Sequence, residues 1–169
     1  MIVMTVGSKD FERRLNLLTQ HLTHPASAMR KIAQTLETLT DQNFAAQGRP
    51  GWKPLAGATI RARLGGKKAY TKKGTLKKSA QAYLSSMRML QVTGQLAASI
   101  HSASGDDWAM IGAGTKYARI HQLGGRAGRN NKVYIPARPY LPFTANKRLQ
   151  PEAEKAILET LERHLRAAL

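Results

Sequence analysis

Apolar residues recur at helical spacing near both ends of the chain and lose that rhythm in the middle. Residues 2–6, IVMTV, read as a short strand. Ser8 then suits a helix cap, with Asp10 and Glu12 in the first turn, where the helix dipole favours acids. Phe11, Leu15, Leu18 and Leu22 make one face of that helix, and His24-Pro25 breaks it. A second helix is predicted from Ala26 to Ala46, with Met29, Ile32, Ala33, Leu36, Leu39 and Phe44 on its apolar side. At the other end Pro151 fits a first helical position. Glu152 and Glu154 lie near the positive end of that helix, and Arg163, His164 and Arg166 near the negative end. Ile157, Leu161, Leu165 and Leu169 form a stripe that packs inward or against a neighbouring subunit.

The middle is broken by glycine and proline. Residues 47–57, QGRPGWKPLAG, carry two prolines and three glycines and are expected to be a loop. Trp52 within it is either an anchor that pins the loop to the core or an exposed anchor for a partner. In residues 65–78 the pairs Lys67-Lys68, Lys72-Lys73 and Lys77-Lys78 repeat every five residues. Five residues advance about 500° around a helix, so the pairs share no helical face. In a strand an odd period alternates sides. With Gly65, Gly66 and Gly74, the stretch reads as a mobile basic loop, followed by a short helix over 76–89. TGQLAASI (93–100) suggests a short helix capped by Thr93. Strands are predicted at 99–103 and 108–112, joined by the turn Ser104-Gly105-Asp106-Asp107. Residues 117–123 form a helical turn or an extended piece, 124–131 a second glycine-rich basic loop, and 132–143 a strand that ends at Pro136. No repeat occurs at the 20–50 residue scale. The expected fold is α+β, one domain over 1–169. Long N-terminal and C-terminal helices pack on a small, mostly antiparallel sheet, and the basic loops are long.

Composition sharpens this picture through charge. The net charge is +17. The first 41 residues hold five basic residues and four acids, and the last 18 hold three basic residues and four acids. Residues 42–151 hold 19 basic residues and only Asp106 and Asp107, so the middle alone carries the net charge. Such a field attracts a polyanion or an acidic partner surface. Apolar residues make up 42% of the chain and aromatics 6%, which predicts a modest core. The absence of cysteine excludes disulfides and thiolate-built zinc sites. The N-terminus has no basic region of the signal-peptide kind, and no apolar run approaches the ~18 residues that span a bilayer. A protein made and used in a cytoplasm, with no membrane contact, is expected.

Catalytic chemistry finds little support. Asp106 and Asp107 are adjacent at a predicted hairpin tip and cannot flank a substrate. The five histidines show no HxH or HExxH spacing, so no metal is expected; His121 reads as a hydrogen-bonded structural histidine more readily than as a base. The GAG at 112–114 and GGRAGR at 124–129 match no nucleotide-binding fingerprint, and no GxSxG occurs. The chain is read as a non-enzyme without a cofactor. The helix after Pro25 is nearly neutral, unlike a recognition helix, and the aromatics are too scattered for a stacking platform. Sequence-independent phosphate contact through Lys and Arg remains possible chemistry.

Four segments in order, GRPGWKPL (48–55), LQVTGQLAASI (90–100), IGAGTKYARIHQLGG (111–125) and YIPARPYL (134–141), resemble the phage virion morphogenesis family, which includes the Mu-type and P2-type tail completion or neck proteins. The resemblance covers about residues 26–168. Trp52, Pro54 and Leu55 match the first motif. Gly94, Leu96 and Ser99 match the second. Tyr117, Ala118, His121, Gln122 and Gly124 match the third, and Ile135 to Pro139 the fourth. Leu123 and Tyr140 stand where Phe is common in the family. The resemblance implies a structural part of the tail or head–tail junction that forms a ring and works with other tail, neck or connector proteins. It also implies residence in the host cytoplasm during assembly and in the virion afterwards. Trp52, Tyr117, His121, Gln122, Pro136, Arg138, Pro139 and Tyr140 are candidate subunit or partner contacts, with intrasubunit packing as the alternative. Tyr117 and His121, four apart, would sit side by side on a helical turn. Arg138, between two prolines, suits a carboxylate across an interface or a cluster of backbone carbonyls. Lys67, Lys68, Lys72, Lys73, Lys77, Lys78, Arg126 and Arg129 are candidates for contact with DNA or an acidic partner. The alternative function is a sequence-independent nucleic-acid-binding protein acting outside a virion.

Overall fold

The computed structural model describes residues 25–167. The strand at 2–6, the helix after Ser8 and Leu169 lie outside these residues. Helix α1, Ala26–Ala45, buries Ile32, Ala33, Leu36, Leu39 and Phe44, the predicted stripe, and leaves Met29 half-buried. Two polar residues, Thr40 and Asn43, are buried on the same side. The helix stops in a Schellman arrangement: Gly48 N–H donates to Asn43 O at 2.8 Å and Gln47 N–H to Phe44 O at 3.3 Å. Gln47 takes the left-handed conformation this closure requires, φ 57°. Gly48 follows at φ 102°, and a Cβ there would lie 2.4 Å from the Trp52 ring.

The 47–57 loop is present as predicted, but it runs directly into a helix not foreseen, α2, Gly57–Arg63. The 65–78 stretch, expected as a mobile basic loop, contains local turn structure. Gly66–Ala69 form a 3-10 turn, Tyr70 bridges Leu76, and the Thr71 and Thr75 hydroxyls lie 2.7 Å apart across the lysine-bearing tip. Gly65, Gly66 and Gly74 all have positive φ, so these glycines turn the backbone sharply. Lys78 belongs to helix α3, Lys78–Ser86.

Helix α4, Gln95–Ala98, begins at Gly94 in the left-handed region, not at Thr93, whose hydroxyl is 3.5 Å from the Gln95 amide. Strands β1, Ile100–Ser104, and β2, Ala109–Ala113, pair antiparallel with Ser102 opposite Ile111, and Gly105 N–H closes the turn on Trp108 O. The helical alternative holds for the next piece, α5, Ala118–Leu123. The second glycine-rich stretch contains a strand: β3, Gly125–Ala127, pairs antiparallel with β4, Val133–Ile135, which ends before Pro136. The fold is thus α+β, and among the described residues its strands are divided between two separate hairpins. α1 packs on β1–β2, and the C-terminal helix α6, Pro151–Arg166, packs on α1. Ala153, Thr160 and His164 are the buried residues of α6. Ile157 and Leu161 are half-buried, and Leu165 is exposed. The α1–α6 seam is partly polar: the Thr35 and Thr160 hydroxyls lie 3.0 Å apart, and His164 lies 3.1 Å from the Lys31 ammonium.

Candidate functional site

Residues 136–143, PARPYLPF, carry three prolines and form no regular strand, so their backbone groups must be satisfied one by one. Side chains do much of this. Gln122 accepts from the Tyr140 and Leu141 amides at 3.0 Å each and donates to Phe143 O at 2.8 Å. Asn43 donates to Tyr140 O at 3.1 Å and to the Gln150 side chain at 3.1 Å, while Arg49 donates to the Asn43 carbonyl oxygen at 2.9 Å. Trp52 Nε1–H donates to Pro139 O at 2.8 Å. The Arg138 amide donates to His121 O at 2.7 Å. In return Arg138 reaches back to the WKPL loop, donating Nε–H to Lys53 O at 3.0 Å and Nη2–H to Pro54 O at 3.1 Å. The carbonyl-cluster alternative for Arg138 is the one found.

Packing reinforces these bonds. Phe44, Trp52, Leu96, Ala118 and Tyr140 form the central apolar cluster. Phe44 meets Trp52 edge-on at 5.9 Å and stacks with Tyr140 at 5.5 Å, geometries that aromatic quadrupoles favour. The Tyr140 hydroxyl donates to Ala118 O, and burial pushes its pKa up to about 12. All four motif segments therefore converge on one place inside the subunit. Trp52, Gln122, Arg138 and Tyr140 are buried there, and Pro136 and Pro139 are half-buried.

Tyr117 and His121 do sit side by side, rings edge-to-face at 5.9 Å. His121 also faces two cations. Burial first, then Arg138 and Arg63, hold its pKa below the ordinary value. Arg138 is likewise held below its usual value by burial and by Arg63. The eight candidate cations, Lys67, Lys68, Lys72, Lys73, Lys77, Lys78, Arg126 and Arg129, are all exposed. Lys68 and Lys77 share a cleft of about 290 Å³ with Arg63, Ser79 and Tyr83. Sequence reasoning missed Asn43 and Arg63. Asn43 announces itself only as a polar residue interrupting an apolar stripe, whereas nothing local distinguishes Arg63 from its neighbours. Among the described residues no group of His, Asp or Glu is placed to hold a metal ion, and no helix is long and apolar enough to cross a membrane.

A scaffold cross-tied by these motifs accords with the similarities to known proteins. Residues 6–166 match the phage virion morphogenesis family, and the chain belongs to it. It is 35% identical over 156 residues to Mu-like prophage FluMu G protein 2 of Haemophilus influenzae, covering 92% of this chain and 89% of the relative. It is also 35% identical over 82 residues to putative capsid assembly protein G of Escherichia phage Mu, covering 48% of this chain and 49% of that relative. No solved structure gives a significant match. The chain is thus a phage morphogenesis protein, structural in role and acting with other phage assembly proteins.

Proposed function

We propose that this protein completes the phage tail or forms part of the head–tail junction, self-associating as a ring. One observation carries the reading: Trp52, Gln122, Arg138 and Tyr140 of the family motifs are spent on ties inside the subunit, so partner contact falls to the exposed, charge-segregated exterior and the motif residues that open onto it. The eight candidate cations are exposed and lie in the middle of the chain, while α6 carries four glutamates among Lys155, Arg163 and Arg166. Positive charge gathered in one part of the subunit favours ordered association with neighbours that present acidic groups. Deleting the gene from an inducible prophage and imaging the lysate tests it. The expected result is separate heads and unjoined tails, restored by the gene in trans; normal joined particles would overturn it. The phage Mu relative's name points to capsid assembly, and heads that fail to form at all would favour that role instead.

Contact with DNA is the second reading, favoured by the cleft in which Arg63, Lys68 and Lys77 meet. Phosphate contact of this kind is sequence-independent and weakens steeply with salt.

A further inference from the structure

Arg63 closes α2 and His121 lies in α5, yet both line one cavity of about 160 Å³, walled by Leu90, Val92, Leu96 and Tyr117. Two nitrogens here lack partners: Nη1 of Arg63, a donor, and Nδ1 of His121, a donor or an acceptor according to its tautomer, are both shut from solvent without a hydrogen-bond partner. A buried donor left unpaired is costly, and most native proteins avoid it. Arg63 and Arg138 both disfavour a charge on His121, and Arg63 also disfavours the charge on Arg138, so the three groups form a positive cluster. The acids within residues 42–151 are Asp106 and Asp107, and both are exposed in the β1–β2 turn. Leu90 on the cavity wall holds φ 62°, a left-handed conformation that is strained for a bulky side chain and concentrates at ligand-facing positions. The site has the form of an anion receptor: a guanidinium donor, largely apolar walls with Thr93 among them, and no carboxylate in its lining.

Complementary chemistry lies on the same chain. Glu154, Leu158, Glu162 and Leu165 are exposed on α6 at three- and four-residue spacing, forming one acid–leucine stripe. Leu158 is 56% exposed, as is Val92 at the cavity wall. The Glu162–Arg166 pair, 3.9 Å and fully in solvent, holds Glu162 only weakly.

We propose that the Arg63–His121 cavity receives a glutamate carboxylate from α6 of a second copy of this chain, with the α6 leucines covering the apolar wall around Val92. The proposal rests on the self-association reading above and gives it a geometry. Different surfaces meet, so the contact is head-to-tail and propagates into a closed ring or a filament.

Sedimentation of the full-length protein across a concentration series tests this. Arg63→Glu and the double change Glu154→Arg with Glu162→Arg should each weaken self-association about tenfold or more. An equimolar mixture of the two should associate again, because each supplies the charge the other lacks. Thermal unfolding checks that both remain folded, and Arg63→Gln provides a milder variant that removes the charge without reversing it. Native-like association of Arg63→Glu and Arg63→Gln would overturn the cavity's role while leaving the ring reading intact. A native chain that stays monomeric at every concentration would overturn both. Weakened variants that fail to associate when mixed would rule out α6 as the source. Loss of DNA binding by Arg63→Gln, with association unchanged, would assign the cavity to phosphate and overturn the carboxylate.

Discussion

Gln122 uses both ends of its amide on one stretch of backbone, its oxygen accepting from two N–H groups and its nitrogen donating to one carbonyl. Replacement by Leu keeps the bulk but orphans the Tyr140 and Leu141 amides. The expected cost is about 2–6 kcal/mol, at about 1–3 for each buried donor left unpaired, read from the urea midpoint. His121 gives a pH signature. Its folded pKa lies below 6.5 because burial, Arg138 and Arg63 all disfavour the imidazolium. The unfolded chain therefore takes up a proton first as pH falls. Stability should be complete above about pH 6.5 and decline as pH drops from there toward the lowered folded value. Nuclear magnetic resonance titration should show that pKa rising when Arg63→Gln removes one repelling charge. The side-by-side placement of Tyr117 and His121 was legible from four-residue spacing. The role of Arg63 was not, because its neighbours are assembled only by the tertiary fold.

Elements with a long periodic stripe were legible, and short ones governed by backbone conformation were less so. α1 falls within a residue of its predicted bounds and α6 starts where Pro151 predicted, because sixteen to twenty residues of pattern average out local noise. The three-residue strand β3, inside GGRAGRNN, has no pattern to read; it exists because β4 lies beside it. Between α5 and β3 sits Gly124, at φ 72°, where a Cβ would come within 2.7 Å of the Ala137 amide nitrogen. That is backbone against backbone, with no flexible side chain to yield. Gly124→Ala should cost more than 1 kcal/mol by combining left-handed strain with this clash, on the order of the strained positions seen elsewhere. Gly51→Ala, where a Cβ meets nothing within 4 Å, is the matched control and should shift the thermal midpoint little.

Over the whole molecule, net charge and its segregation were read correctly from the sequence, whereas the path of the cationic segments was not, since the 65–78 stretch is tied by turn and bridge hydrogen bonds. On the DNA reading, each phosphate contact contributes about 0.9 to the slope of log affinity against log salt. Lys72→Gln with Lys73→Gln should therefore lower that slope by about two if both touch phosphate; an unchanged slope would place the contact elsewhere. The ties on residues 136–143 also set a timetable. Asn43 and Tyr140 are 97 residues apart in the chain and Trp52 and Pro139 are 87 apart. At a synthesis rate of about 5–20 residues per second, α1 leaves the ribosome roughly 5–20 s before its partner segment exists. During that interval Phe44 and Trp52 have no Tyr140 to cover them. A chain released after residue 132 should therefore show a solvent-exposed Trp52 in its fluorescence and a tendency to aggregate, and the nascent protein becomes a natural client for a chaperone until its last forty residues arrive.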